Sequence, residues 1–307
     1  MAGCYKRGLI SPRAIISLSI IDHTIPAKTA FVLAGGGSFG AIQVGMMHSL
    51  AAHGISADMV VGSSVGAING AYYAGNPTLK GVLQLETIWR GLRRQDVFPL
   101  TTRALLSFLW RRDFLIPHDG IQKLVDDHIP YRNLEEARLP LHIVTTDIVT
   151  GDSVVLSEGP VAQAVTASTA IPGAFAPIRY KDLYLADGAI SSNTPIRVAV
   201  AKGAKRLIIL PTGYACAPHE PPKGAVATAL HALTLLIARQ LVDELENLDP
   251  DIEHFVVPPL CPLVGSPYDF SRTGDHIARA IRSTDAWLAR GGIEQSGIPD
   301  EMRPHSH

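Results

Sequence analysis

The chain is short of cysteine: it has three, Cys4, Cys216 and Cys261, odd in number and far apart. They offer neither metal-ligand spacing nor a disulfide framework. A reducing compartment, the cytosol, is the simpler expectation. Charge of one sign is also lacking. The 27 Lys and Arg balance 28 Asp and Glu, a formal net charge of -1. Nucleic acid is therefore not expected as a partner, because it calls for a basic face. No segment has the roughly eighteen uninterrupted apolar residues needed to span a bilayer. No oxygen-rich loop suggests calcium, and no metal or other cofactor is expected. Lys6, Arg7 and Arg13 precede a short apolar run, Ala14 to Ile21, which loosely resembles a signal peptide. The run is at the short limit, and no small-x-small cleavage site follows. Residues 1–28 are thus expected to be a weakly packed, flexible extension.

What the chain does have is apolar bulk: 47% of its 307 residues are hydrophobic. That is enough core for a large α/β domain. Thr29 to Ala34 reads as a buried strand, Ser38 to Ala52 as a helix, Asp58 to Val61 as a second strand and Val65 to Ala74 as a second helix. This β-α-β-α order predicts a doubly wound, mostly parallel central sheet with helices on both faces. Further strands are expected at 139–146, 153–157, 184–186, 206–210 and 254–257. Helices are expected at 160–168, 195–202, 224–245 and 273–288. Residues 79–128 contain no good strand and read as a helical insertion or cap. A single domain over 29–290 follows, with a disordered tail over 291–307.

Between the second strand and the second helix stands Gly62-Ser63-Ser64-Val65-Gly66, a G-x-S-x-G pentapeptide. A strand turning sharply into a helix around a serine is a nucleophile elbow. Gly62 and Gly66 permit the tight turn, Ser63 and Val65 flank the tip, and Ser64 stands on it. An activated serine implies acyl transfer, most often hydrolysis of an ester, thioester or amide.

Gly35-Gly36-Gly37-Ser38-Phe39-Gly40 follows the first strand. As G-x-G-x-x-G it also fits a dinucleotide cradle, hence an oxidoreductase. That rival needs an acidic residue at the end of the second strand, whereas Asp58 opens it. The same loop can instead aim backbone N–H groups at a developing oxyanion. The triple glycine, Gly35 to Gly37, supplies the candidate donors.

A serine needs a proton acceptor. The late histidines, His231, His254 and His276, fall in helix-like or strand-like stretches and not in a glycine-flanked loop. Asp187-Gly188-Ala189 ends a short strand, so its carboxylate can reach the edge that carries Ser64. An Asp serves as base when partial burial raises its pKa. An ordinary Asp-Gly turn is the plainer alternative.

These pieces in this order resemble the patatin-like phospholipase family. Two more stretches share the likeness: residues 167–175 (ASTAIPGAF), and Asn193-Thr194-Pro195 after the Asp-Gly. The resemblance covers residues 29 to 212. It implies a three-layer patatin-like α/β fold and a Ser64–Asp187 dyad, with Gly188 and Asn193 in support. It also implies an oxyanion hole formed by the amides of Gly36 and Gly37, joined by those of Gly35 and Ser38, and release of fatty acid from phospholipid or lysophospholipid through an acyl-enzyme. Two residues depart from the pattern. Phe39 stands where many members carry Arg or Lys, which bears on headgroup preference, and Asp-Gly-Ala replaces Asp-Gly-Gly. A general carboxylesterase or acyl-thioesterase on the same dyad, and a non-catalytic acyl-binding protein, are the alternatives.

Residues 86–118 combine Arg90, Arg93, Arg94, Arg103, Arg111 and Arg112 with Trp89, Phe98, Phe108, Trp110 and Phe114. Cations beside aromatics suit peripheral contact with anionic lipid, or a lid. A packed insertion with solvated arginines is the plainer explanation. Oligomeric state is not legible, and no role is assigned to residues after about 212.

Overall fold

The structure is a computed structural model that describes residues 28–98, 116–213, 224–261, 263, 265–294 and 296–297. The expected N-terminal extension, Lys28 apart, lies outside the described residues, as does most of the expected tail.

Eight strands form one sheet in the order β5-β6-β3-β2-β1-β7-β8, with β4 paired to β3. They are β1 (Thr29–Leu33), β2 (Met59–Ser63), β3 (Leu141–Asp147), β4 (Ser153–Leu156), β5 (Ile178–Tyr180), β6 (Leu183–Asp187), β7 (Arg206–Leu210) and β8 (Glu253–Val256). The centre, β3-β2-β1-β7-β8, is parallel. β4, β5 and β6 join antiparallel. The described helices are α1 (Gly40–Ala52), α2 (Val65–Gly75), α3 (Leu79–Gly91), α4 (Arg94–Val97), α5 (Asp119–His128), α6 (Val161–Ser168), α7 (Ala189–Ser192), α8 (Ile196–Ala201), α9 (Ala225–Glu246) and α10 (Thr273–Ala289).

Strand alternation divides the core between the two faces of the sheet. Phe31, Leu33, Val60, Ile143 and Ile208 face one way, against α1, α2, α3, α5, α6 and α10. Ala30, Val32, Val61, Val144 and Ile209 face the other, against α8 and α9. The central strands are covered on both sides, which is why they read as unbroken apolar runs. The result is the expected doubly wound, three-layer α/β fold.

β5 and α7 are absent from the sequence expectations. β5 is three residues long, too short for a strand period to be read along the chain. α7 is a single turn that follows Asp187-Gly188 directly. At the other end, Gly297 pairs with Phe255 in an isolated bridge, so backbone pairing continues past residue 290. Cys261 is disulfide-bonded, against the expectation of unpaired thiols, and its partner lies outside the described residues. Cysteine spacing along a chain does not report the short Cα separation that a disulfide needs.

Candidate active site

β3 brings the two key residues together. On one edge it pairs with β4 through Ile143–Thr146. On the other edge β2 runs alongside as far as Ser63, opposite Val144. There β2 stops, and β6 takes over the same edge from the opposite direction with Asp187 opposite Thr145. Two strand ends therefore meet head-on at adjacent residues of β3. Ser64 follows one end and Asp187 closes the other. The Ser64 hydroxyl donates to Asp187 Oδ2 at 2.7 Å.

Ser64 caps α2 with φ 53° and ψ −124°, a conformation that costs a non-glycine residue about 1–3 kcal/mol. Close packing holds it there. A Cβ on Gly62 would strike the Gly66 carbonyl, and one on Gly66 would strike the Leu33 carbonyl. Ser63 is fully buried. The Ser64 N–H donates to Ser168 Oγ at 2.9 Å, and that hydroxyl donates to the Val144 carbonyl at 2.6 Å. Ser168 thus clamps the elbow to β3.

Asp187 is 3% exposed. Burial pushes its carboxyl up to about 6, against the opposing hydrogen bonds from the Ala189 N–H and the Ser64 hydroxyl. The Asp187 N–H donates to the Ala170 carbonyl, and Thr146 Oγ1 donates to the Asp187 carbonyl at 2.9 Å. Gly188 donates to the Ser168 carbonyl, so one segment, 168–170, steadies both partners. Tyr268 lies beside them, its hydroxyl pushed up by burial and then by the Asp187 charge.

The glycine run lies against the elbow: a Cβ on Gly35 would come within 3.1 Å of Ser64 Cβ. Its four expected donors divide into two pairs. The Gly35 N–H is taken by the Asn193 carbonyl at 3.0 Å and the Ser38 N–H by the Pro267 carbonyl at 2.7 Å. These two are corrections to the expected donor set, since an amide already bonded to a carbonyl is not free for an oxyanion. The N–H groups of Gly36 and Gly37 have no protein acceptor among the described residues. Gly37 sits at φ +60°, and a Cβ there would strike the Pro267 carbonyl. Thr212 Oγ1 donates to the Gly35 carbonyl at 2.5 Å, and Ser38 Oγ to the Ser266 carbonyl at 3.1 Å. The chain from Thr212 onward therefore contributes to the site, because Thr212 and the 266–267 segment hold the loop.

Behind the loop lies a buried amide relay. Trp89 Nε1 donates to Asn69 Oδ1 at 2.8 Å, and Asn69 Nδ2 donates to Gln43 Oε1 at 2.9 Å. Gln43 Nε2 donates to the carbonyls of Ala34 and Leu210. It ties α1, α2 and α3 to the ends of β1 and β7. The hint in the sequence is a Gln and an Asn set among small and apolar residues near the starts of α1 and α2.

The rival expectations separate cleanly. Asp58 Oδ2 accepts from the Thr29 N–H, at the opposite end of the strands from the glycine loop, where it cannot serve a dinucleotide. His276 is buried in α10 with its ring 5.7 Å from that of Phe39. His254 turns to the Ile252 carbonyl. The His231 side chain lies outside the described residues. Among the described residues no histidine hydrogen-bonds to Ser64 or Asp187. No cluster of three or more His, Cys, Asp or Glu is arranged there to hold a metal ion.

Of the cationic-aromatic stretch, Trp89 and Phe98 are buried and Arg90 pairs with Glu86 at 2.8 Å. Arg103, Phe108, Trp110, Arg111, Arg112 and Phe114 lie outside the described residues. No described helix is long and apolar enough to cross a membrane. An apolar cavity reaches Ser64 from the α3–α5 side, with Trp89, Phe98, Ile121, Val125 and Phe175 among its walls.

The patatin-like phospholipase family model matches residues 31–200. Patatin-like phospholipase domain-containing protein 7 of Rattus norvegicus is 30% identical over 186 residues, which are 60% of this chain and 13% of that protein. Lysophospholipase NTE1 of Scheffersomyces stipitis is 28% identical over 192 residues, 60% of this chain and 12% of that protein. The chain thus spans a small part of the length of these relatives. Among solved structures, VipD from Legionella pneumophila aligns at 18% identity with a TM-score of 0.46, covering 86% of this chain and 66% of VipD.

Proposed function

The chain belongs to the patatin-like phospholipase family, and from that premise we propose that it is a serine-dependent lipid acyl hydrolase working through a Ser64–Asp187 dyad. Its substrates are carboxylic esters of lipids, phospholipids and lysophospholipids among them, and its product is free fatty acid. The observation that carries this reading is the 2.7 Å hydrogen bond from the Ser64 hydroxyl to a buried carboxylate. A carboxyl raised to about 6 is ionised at neutral pH yet basic enough to take a proton.

In the first half-reaction Ser64 Oγ bonds to the acyl carbon as its proton passes to Asp187. The bare amides of Gly36 and Gly37 face the carbonyl oxygen as it gains charge, each contributing about 3–4 kcal/mol in comparable sites. The intermediate collapses, the C–O bond to the alcohol breaks, and Asp187 returns the proton to the leaving oxygen. Water, deprotonated by Asp187, then attacks the acyl-enzyme, the bond from the acyl carbon to Ser64 Oγ breaks, and Asp187 returns the proton to Oγ as the fatty acid leaves. Residues 29–290 act as one catalytic unit, and helices of the 79–128 segment wall the acyl pocket.

A long-chain fluorophosphonate tests the assignment. Intact mass spectrometry is expected to find one adduct on the wild type and none on Ser64→Ala. Hydrolysis of phospholipid and lysophospholipid micelles, followed by titration of released acid, is expected to fall by at least ~10³-fold in Ser64→Ala. Full activity in that variant would overturn the dyad.

A further inference from the structure

Ser64 does not stand at the end of a single pocket. It borders two spaces, and Gly37 and Ile171 border both as well. The first is the apolar cavity under α3–α5. The second is a separate cleft that begins at Asp187, Asn193 and Thr212 and takes in Ile190 of α7 with Ile237 and Leu241 of α9. Ile237 and Leu241 are one helical turn apart, so they present a continuous apolar strip. Leu241 is buried, while Ile190 is exposed at 47% although large and aliphatic. No lysine, arginine or histidine is among the described residues that line this cleft, and Phe39 occupies part of its wall.

Proton transfer decides which half of an ester enters which space. The proton taken from Ser64 must return to the alcohol oxygen as the C–O bond breaks. Asp187 carries that proton, and it lines the second space but not the first. The alcohol therefore departs into the second cleft, and the acyl chain occupies the cavity under α3–α5.

Resting on the serine-dyad reading above, we propose that the second cleft is a subsite for a hydrocarbon chain on the leaving alcohol. The preferred substrates are then esters with a chain on both sides of the scissile bond. A diacyl lipid that retains its other chain on the alcohol part meets that description, and a lysolipid with a wholly polar alcohol does not. A polar alcohol would leave Ile190 and Ile237 in water. An alkyl chain removes them from it, with a gain of about two- to fourfold in kcat/KM per buried methylene.

Two ester series, kept below their critical micelle concentrations and followed by titration of released acid, test this. One holds the acyl group at butanoyl and lengthens the alcohol from methyl to octyl. The other holds the alcohol at methyl and lengthens the acyl chain from four to eight carbons. In the wild type kcat/KM is expected to climb along both. In Ile190→Asp, and independently in Ile237→Asp, the alcohol series is expected to flatten while the acyl series keeps its slope. Wild-type turnover that is indifferent to alcohol length would overturn the inference, as would variants that depress both slopes alike. Absence of turnover for every ester would instead overturn the serine-dyad reading, and the subsite with it.

Discussion

Two strand-to-helix turns stand side by side at the carboxyl edge of the sheet, and they are held in opposite ways. The elbow after β2 is held mainly by close backbone packing, with Ser168 as its hydrogen-bond clamp. Gly62 lets the turn close on Gly66, Gly66 lets β1 approach at Leu33, and the strain is concentrated in Ser64 at φ 53°. The glycine loop after β1 is held from outside, by the carbonyls of Asn193 and Pro267 and the hydroxyl of Thr212. The difference follows from what each turn presents. The elbow presents one side chain, which packing can aim. The loop presents bare N–H groups, and these stay bare only if neighbouring amides are pinned elsewhere and no side chain fills the space.

The largest test of the comparison is Asp187→Asn, which leaves both turns in place and removes the proposed base. Ester hydrolysis is expected to fall at least ~10³-fold. Stability should move the other way. The folded-state pKa, about 6, lies above the unfolded 3.8. The folded protein therefore holds the extra proton between those values, and stability falls as pH rises from about 4 to 6. Above pH 6 the charged, buried carboxylate costs roughly 2–3 kcal/mol. Thermal melts at pH 8 are expected to show Asp187→Asn more stable than wild type, with the gap closing toward pH 4. In the wild type, kcat/KM is expected to rise with pH through an apparent pKa near 6.

Gly37→Ala attacks the loop alone. It loses φ +60° and meets the Pro267 carbonyl, so kcat should drop about 10²–10³-fold through displaced oxyanion donors. Fluorophosphonate labelling at Ser64 should slow in parallel, because that reaction also develops charge on oxygen.

Ser168→Ala loosens the elbow. It frees the buried Ser64 N–H and Val144 carbonyl and is expected to cost about 1–3 kcal/mol of stability in denaturant melts. Its kinetic mark is a fall in kcat of roughly tenfold with KM little changed, since the hydroxyl touches backbone and not substrate.

The smallest effect is expected from Thr212→Val, which keeps the shape and deletes one hydrogen bond to the Gly35 carbonyl. About 1 kcal/mol of stability and a few-fold in kcat are expected. A loss as large as that of Gly37→Ala would mean that the loop is held chiefly by this hydroxyl and not by the carbonyls.

The parts of the site that were legible are those carried by contiguous residues. β1, β2 and α2 stand where apolar runs and glycines put them, and Asp187 closes β6 as the short strand before Asp-Gly suggested. Ser168 was noticed only within its stretch, residues 167–175, because a hydroxyl that clamps two backbones 104 and 24 residues away leaves no local pattern. The same holds for Thr212 and Tyr268, and for the Trp89–Asn69–Gln43 relay. Gly35 and Ser38 looked equivalent to Gly36 and Gly37 because nothing in a glycine run says which amides already have acceptors.

By itself, then, the sequence determined the layered α/β architecture, the sharp turn at Ser64, the amide-rich loop before α1 and the Asp-Gly that closes β6, on which the proposed dyad rests. All of these rest on residue types and spacings within a few turns of chain, where local sterics and periodicity act. Tertiary structure alone decided the meeting of β2 and β6 head-on along one edge of β3. It also decided which loop amides remain bare, the burial that raises the Asp187 pKa, and the division of space around Ser64 into two arms. Those depend on carbonyls, hydroxyls and apolar walls brought from more than a hundred residues away, and only packing sets their distances.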